Sequence, residues 1–342
     1  MNGYHVAIVG ATGAVGTEFL RLLESRPFPL ASLKLLASAR SVGKTMSYKG
    51  QEISVEELTT DSFDGVDIAF FSAGGSRSRE FAPAAVRAGA TVIDNSSAFR
   101  MDPEVPLVVP EVNGEAACNH IGIIANPNCS TILLVMVLAP LHRLSPIRRV
   151  VVSTYQAASG AGAAAMQELE DQTRAVLNRE SVAPDVFPHQ IAFNLFSHNT
   201  AIDGTGYNEE ERKMVYETRK ILAEPNLLVS ATCIRVPIPR AHSESVNIEF
   251  VKERPNVEQV RSAIATFPGT EIVDDRIANV FPMPLDASGK DAVLVGRIRE
   301  DLSHPHAIDL FLSGDQILKG AALNGFQIAQ YLIAHNAVQG KR

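Results

Sequence analysis

The chain has 342 residues, 46% of them hydrophobic and 20% charged, with a formal net charge of −7 and a pI near 5.8. That length points to two cores instead of one, and that composition argues against disorder. An acidic balance with scattered basic residues excludes nucleic acid as a partner, while a few local cations still suffice for small anions.

Residues 4–9 are an apolar run that predicts a strand, and no charged leader with a long apolar stretch precedes it, so no secretory signal is expected. A glycine turn follows, then helical spacing through Phe19, Leu20, Leu22 and Leu23. Further strands are predicted over 33–37, 67–71 and 91–93, with helical spacing over 81–88 between the last two. Strands alternating with helices predict an α/β unit, a Rossmann-like doubly wound parallel sheet. Past Asn126 and Pro127 the pattern changes. An apolar helix is predicted over 130–144, then a strand over 149–155 and an acidic helix over 209–222. Strands over 227–235, 245–251, 292–299 and 307–312 follow, which predict an α+β domain on a mostly antiparallel sheet. Residues 316–335 return to helix. The expected division is a dinucleotide domain of 1–127 plus the C-terminal helix 322–342, and a catalytic and dimerisation domain of 128–321.

No segment reaches the roughly 20 uninterrupted apolar residues of a membrane helix. Cys118, Cys129 and Cys233 form neither a paired framework nor a metal-binding spacing. A cytoplasmic chain with reduced thiols, no membrane partner and no metal is the expectation.

GATGAVG, from Gly10 to Gly16, sits directly after the first strand and directly before the first helix. Glycines there let the backbone approach a pyrophosphate, whose charge then meets a helix N-terminus. Gly10, Thr12, Gly13, Ala14, Val15 and Gly16 are therefore candidate cofactor contacts. A tight turn without a ligand would use the same letters; their place after a strand at the chain start favours the dinucleotide. The second strand ends in Ala37-Ser38-Ala39-Arg40-Ser41, with Lys44 beyond and no carboxylate. Hydroxyls and an arginine suit a 2′-phosphate, so Ser38, Arg40 and Ser41 point to NADP; a solvated basic loop is the alternative. Ser72 and Gly74, after the next strand, and Asn95, after the one following, stand where such a sheet receives the far half of the cofactor.

Cys129 lies in NPNCST at the start of an apolar helix, where the helix dipole favours a thiolate. Cys118 and Cys233 fit the inert role more usual for cysteine. Arg235, at the end of an apolar strand, suits bidentate capture of a carboxylate or else a structural ion pair. His242 follows seven residues later, just before a predicted strand, as a candidate acid or base.

Taken together, GATGAVG, SAGGSRS, DNSSAFR, VVPEVN, NPNCST, QAASGAG, EEERK and RVPIPRAHSESV resemble the bacterial type of aspartate-β-semialdehyde dehydrogenase, in order and over essentially the whole chain. The resemblance implies a glyceraldehyde-3-phosphate dehydrogenase-like fold and a homodimer. It implies NADP-dependent reductive dephosphorylation of aspartyl-4-phosphate to aspartate 4-semialdehyde, through a thioester on Cys129, in the biosynthesis of lysine, threonine, methionine and diaminopimelate. By the same resemblance Gln156 orients the thioester and His242 is the general acid/base. Arg235 would hold the substrate α-carboxylate, Glu210 its amino group, and Arg100 with Lys213 the phosphate. Ser159, Gly160, Gln316 and Asn324 would serve the cofactor. The family usually has Gly before the histidine, where this chain has Ala241, a change expected to be tolerated. N-acetyl-γ-glutamyl-phosphate reductase is the nearest rival, with a PGCY-type context in place of Pro127-Asn128-Cys129-Ser130. Glyceraldehyde-3-phosphate dehydrogenase normally keeps the acidic NAD determinant missing here, and a catalytically silent NADP-binding relative would have no chemical need to keep Cys129, Gln156, Arg235 and His242 together.

Overall fold

A computed structural model describes residues 3–339. The outermost residues of the expected first domain, 1–2 and 340–342, lie outside the described residues. The chain divides into two compact units, one running to Asn128 and resuming at Ala321, the other spanning Cys129–Gly320.

The first unit is built on β1 (Tyr4–Val9), α1 (Ala14–Ser25), β2 (Leu30–Ala37), β3 (Thr45–Tyr48), β4 (Gln51–Glu57), β5 (Ile68–Phe71), α2 (Gly75–Arg87), β6 (Thr91–Asp94) and β7 (Ile123–Ala125). Its sheet has the order β3-β4-β2-β1-β5-β6-β7. All pairings are parallel except the β3–β4 hairpin, so the strand ends that carry the glycine loop and its neighbours share one edge. β5 and β6 are buried along their whole length, as expected when helices cover both faces. Phe19 of α1 stacks on Phe70 of β5 with ring centroids 4.4 Å apart. The buried Asp94 carboxylate accepts from the Ser78 hydroxyl of α2 and from the Ser96 amide and hydroxyl, which ties the end of β6 to α2. The DNSS string is therefore in part a structural knot.

The second unit contains α3 (Cys129–Leu144), β8 (Ile147–Gln156), α4 (Ala163–Leu177), β9 (Phe196–Ser197), α5 (Glu209–Ile221), β10 (Leu228–Arg235), β11 (His242–Phe250), α6 (Val257–Ala265), β12 (Thr270–Ile272), β13 (Val293–Glu300) and β14 (Ala307–Gly314). Its sheet has the order β12-β13-β14-β11-β8-β10-β9. β8–β10 and β12–β13 run parallel, whereas β9–β10, β8–β11, β11–β14 and β13–β14 run antiparallel, so the sheet is mostly antiparallel as expected. α3 is apolar on every side and buried from Ser130 to Leu141, which identifies it as an internal helix; it continues through Pro140. A short π-helical turn at Leu318–Ala322 leads into α7 (Leu323–Ala334), so the single helix expected over 316–335 is broken at its start. Among the described residues no helix is long and apolar enough to cross a membrane.

Register places the polar side chains of the second sheet in rows. Arg235 pairs with Gln156, and Ser243 with Tyr155, so Arg235, Gln156 and His242 end three adjacent strands side by side. One row behind, on the same face, Cys233 pairs with Thr154 and Thr154 with Glu244.

Candidate active site

In the first unit, Gly10 has φ 84°, and a Cβ there would stand 2.5 Å from the Ser72 carbonyl oxygen, so the turn admits only glycine. The loop borders a cavity of about 280 Å³. Gly10, Thr12, Gly13, Ser38, Arg40 and Ser72 line it, together with Arg77 from the start of α2, which sequence reasoning missed. Two guanidiniums, several hydroxyls and no carboxylate among the lining residues suit a phosphate ester. Ser41 stands beside this group, its hydroxyl 3.4 Å from that of Thr12. Ala14, Val15 and Gly16 form the first turn of α1, and Gly74 precedes α2 with φ 87°.

Asn95, Asn126 and Asn324 form a chain of amides. The Asn126 amide donates to Asn95 Oδ1 at 2.6 Å, and the Asn324 amide donates to Asn126 Oδ1 at 2.6 Å and to the Val108 carbonyl at 2.9 Å. Arg100 is buried against the same segment, donating to the Asn126 and Asn95 carbonyls at 2.9 Å each.

In the second unit, Cys129 is the half-buried first residue of α3. Gln156 donates to the Ser130 hydroxyl at 2.7 Å and to Glu210 Oε1 at 3.1 Å, and thereby joins the start of α3 to the start of α5. Its own Oε1 is buried and has no hydrogen-bond partner among the described residues. Lys213, one turn along α5, lies 3.0 Å from Glu209 and 3.4 Å from Glu210.

Arg235 is 2% exposed and is gripped on three sides. Nη1 donates to the Ala157 carbonyl at 2.6 Å, Nη2 donates to His198 Nε2 at 3.0 Å, and the guanidinium lies 5.6 Å from the Phe187 ring centroid. Burial pulls it below its ordinary pKa, while the nearby Cys129 and Glu210 act in the opposite direction. Among the described residues no hydrogen-bond partner meets its buried Nε, and its two other nitrogens are held by the Ala157 carbonyl and His198 instead of a carboxylate. A buried cation with a spare donor suits an anionic ligand better than a structural ion pair. Burial also lowers the pKa of His198 to about 4, with Arg235 and Lys213 adding to the effect of burial and Glu210 opposing it. His198 was not singled out in the sequence, since nothing local marks it.

His242 is the first residue of β11, inside the strand instead of before it, and is 1% exposed. Its Nδ1 accepts from the Ala157 amide at 3.0 Å. A Cβ on Gly160 would come within 3.0 Å of Arg235 Nη1 and 3.1 Å of His242 Nε2, so glycine keeps the space before both groups open. Ser159 accepts from the Gln316 side chain, whose oxygen in turn accepts from the Ala241 amide at 2.9 Å. Gln316 thus braces the residue before His242. Burial pushes the Cys233 thiol up, consistent with an inert cysteine.

Ala241 has φ 71°, in the left-handed region that glycine favours. That strain costs roughly 1–2 kcal/mol, and the methyl, buried against Ala287 and Leu294, returns about 0.8 kcal/mol. Ala241→Gly is therefore expected to stay within about 1 kcal/mol of the parent, whereas Ala241→Val, branched and crowded, should lose about 3 kcal/mol. Urea midpoints check both values; an Ala241→Val protein as stable as the parent would remove the strain.

Residues 5–120 match the family model described as the NAD-binding domain of semialdehyde dehydrogenase, and residues 138–319 the model described as its dimerisation domain. The chain is 57% identical over 328 residues to the aspartate-semialdehyde dehydrogenase of Synechocystis sp., covering 96% of this chain and 97% of that one. It is 50% identical over 344 residues to that of Bacillus subtilis, covering 98% and 99%. The crystal structure of aspartate semialdehyde dehydrogenase II complexed with ASA from Vibrio cholerae superposes with a TM-score of 0.94 at 44% identity, over 98% of this chain and 99% of that one. The enzyme with NADP from Candida albicans gives a TM-score of 0.78 at 27% identity, over 98% and 100%.

Proposed function

The chain belongs to the aspartate-semialdehyde dehydrogenase family, and on that premise we propose that it interconverts aspartyl-4-phosphate and aspartate 4-semialdehyde through a thioester on Cys129, with NADP as cofactor. The observation that carries this reading is the group formed by Gln156, Glu210, Arg235 and His242 around the start of α3. The Cys129 thiolate attacks the acyl phosphate and expels phosphate. Gln156, fixed by Ser130 and Glu210, orients the acyl group. Arg235 holds the α-carboxylate with its spare donor, and Glu210 takes the amino group. Arg100 and Lys213 are the cations for phosphate.

The dinucleotide, when bound, supplies a hydride to the acyl carbon. Gly10, Thr12, Gly13 and the first turn of α1 cradle its pyrophosphate, while Ser38, Arg40, Ser41 and Arg77 suit a 2′-phosphate. Ser72, Gly74, Asn95 and Asn324 serve its far half. A homodimer built on the second unit accords with the dimerisation model over 138–319. The products suit the biosynthesis of lysine, threonine, methionine and diaminopimelate in the cytoplasm.

The test is reduction of NADP by aspartate 4-semialdehyde, which should require phosphate. NAD should be poorer by at least about tenfold, because a charge-assisted phosphate contact is worth roughly 1.5–3 kcal/mol. Turnover confined to the N-acetyl-γ-glutamyl semialdehyde would reassign the substrate, and dinucleotide binding without turnover on either aldehyde would mark a silent relative.

A further inference from the structure

The two-residue strand β9 pairs Phe196 with Arg235 and Ser197 with Ile234. His198 continues that register by donating its N–H to the Cys233 carbonyl at 2.8 Å, and its ring meets the end of the Arg235 side chain. A guanidinium N–H can only donate, so the 3.0 Å contact with Nη2 requires a lone pair on His198 Nε2. The proton of the neutral ring then sits on Nδ1, 3.3 Å from the Thr200 hydroxyl. That hydroxyl also accepts from the Glu210 N–H at 3.2 Å. One threonine therefore anchors both the ring that meets Arg235 and the first turn of α5.

We propose that His198 is the positioning residue of a carboxylate clamp: its neutral ring fixes the rotation of the Arg235 guanidinium and leaves the remaining donors to the α-carboxylate of the substrate. The proposal rests on the role given to Arg235 above. A guanidinium has five N–H bonds. Ala157 takes one on Nη1 and His198 one on Nη2, and Cζ stands 5.6 Å over the Phe187 ring centroid. Three donors are left, Nε–H among them.

The choice of partner matters. An aspartate or glutamate in place of His198 would hold the same nitrogen but cancel its charge, and the clamp would lose its attraction for an anion. A neutral imidazole holds the guanidinium and leaves the charge to the ligand. The charged and titratable groups facing the ring are Glu209, Glu210 and Lys213 on α5, Arg235 on β10 and His242 on β11. Burial first, then the Arg235 and Lys213 charges, hold the ring down to about pKa 4 against Glu210 and Glu209. It therefore stays an acceptor throughout the working range.

The experiment is steady-state NADP reduction by aspartate 4-semialdehyde at saturating phosphate, with His198→Leu and His198→Gln beside the parent. Leucine fills the space without an acceptor, whereas the amide oxygen of glutamine can still accept from Nη2. His198→Leu should raise KM for the semialdehyde by about 10- to 100-fold, with kcat within about threefold and KM for NADP unchanged. His198→Gln should return KM to within about fivefold of the parent. Long-range 1H–15N NMR on the 15N-histidine-labelled parent, with the ring assigned by its loss in His198→Gln, should show a protonated Nδ1 and a bare Nε2 from about pH 6 to about pH 9. A parental KM in His198→Leu, a glutamine variant as impaired as the leucine one, or a ring protonated on Nε2 overturns the proposal. The tautomer is read on the parent without turnover, so it decides the matter even where His198→Leu does not fold. A parent that does not use aspartate 4-semialdehyde would instead reject the proposed function.

Discussion

Cys129→Ala is expected to lower kcat by at least about 10⁴-fold while leaving NADP affinity unchanged, as loss of a covalent nucleophile does elsewhere. The two readouts separate because the cavity that suits the dinucleotide is lined entirely by the first unit, whereas Cys129 opens the second. Cys233 cannot substitute for the lost nucleophile. It is fully buried, and burial raises its pKa, which leaves the inert thiol form. Single-turnover kinetics together with dinucleotide fluorescence titration check the prediction. Turnover within about tenfold of the parent would refute the thioester.

Glu244→Gln is expected to stabilise the protein, and to do so increasingly as pH rises. Glu244 is 0% exposed, one row behind His242, and among the described residues neither carboxylate oxygen has a hydrogen-bond partner. Burial pushes its pKa well above the ordinary 4.5, so the folded protein keeps a proton that the unfolded chain releases. The sign follows from that proton count. Above pH about 4.5 the folded state binds more protons, and stability falls by about 1.4 kcal/mol per pH unit until the folded carboxyl itself ionises. Glutamine has nearly the same shape and no proton to release, so its advantage should widen by up to that slope. Thermal midpoints of both proteins, taken at intervals between about pH 5 and about pH 8, measure it. Parallel profiles would show that Glu244 is ionised in the folded state.

Much of this site is legible in the sequence because its side chains sit at the ends of regular elements. Cys129 starts a helix, Arg235 and Gln156 end strands, and the glycine loop joins a strand to a helix. Each carries a local signal. The β3–β4 hairpin carries no strand signal because its edge strand β3 is short and its partner β4 is polar, with Gln51, Glu52, Glu56 and Glu57 in place of an apolar run. α4 escaped because its charged stretch, Glu168 to Arg174, hides a narrow buried stripe. β11 was placed three residues late, since His242, Ser243 and Glu244 look like loop residues although all three are buried. His198 and Arg77 reach their places through tertiary structure alone, and no spacing in the chain announces either.

The residue that holds both Arg235 and His242 contributes no side-chain chemistry of its own. Ala157 grips Arg235 through its carbonyl oxygen and His242 through its N–H, so an alanine scan passes over it without a trace. What descends from parent to offspring here is an alignment of strands, β8 against β10 and β11, more than the identity of a letter. A descendant that kept Cys129, Arg235 and His242 but slipped β8 by one residue would turn that strand's inward side chains outward. It would own every group proposed to react and have no instrument for aiming them.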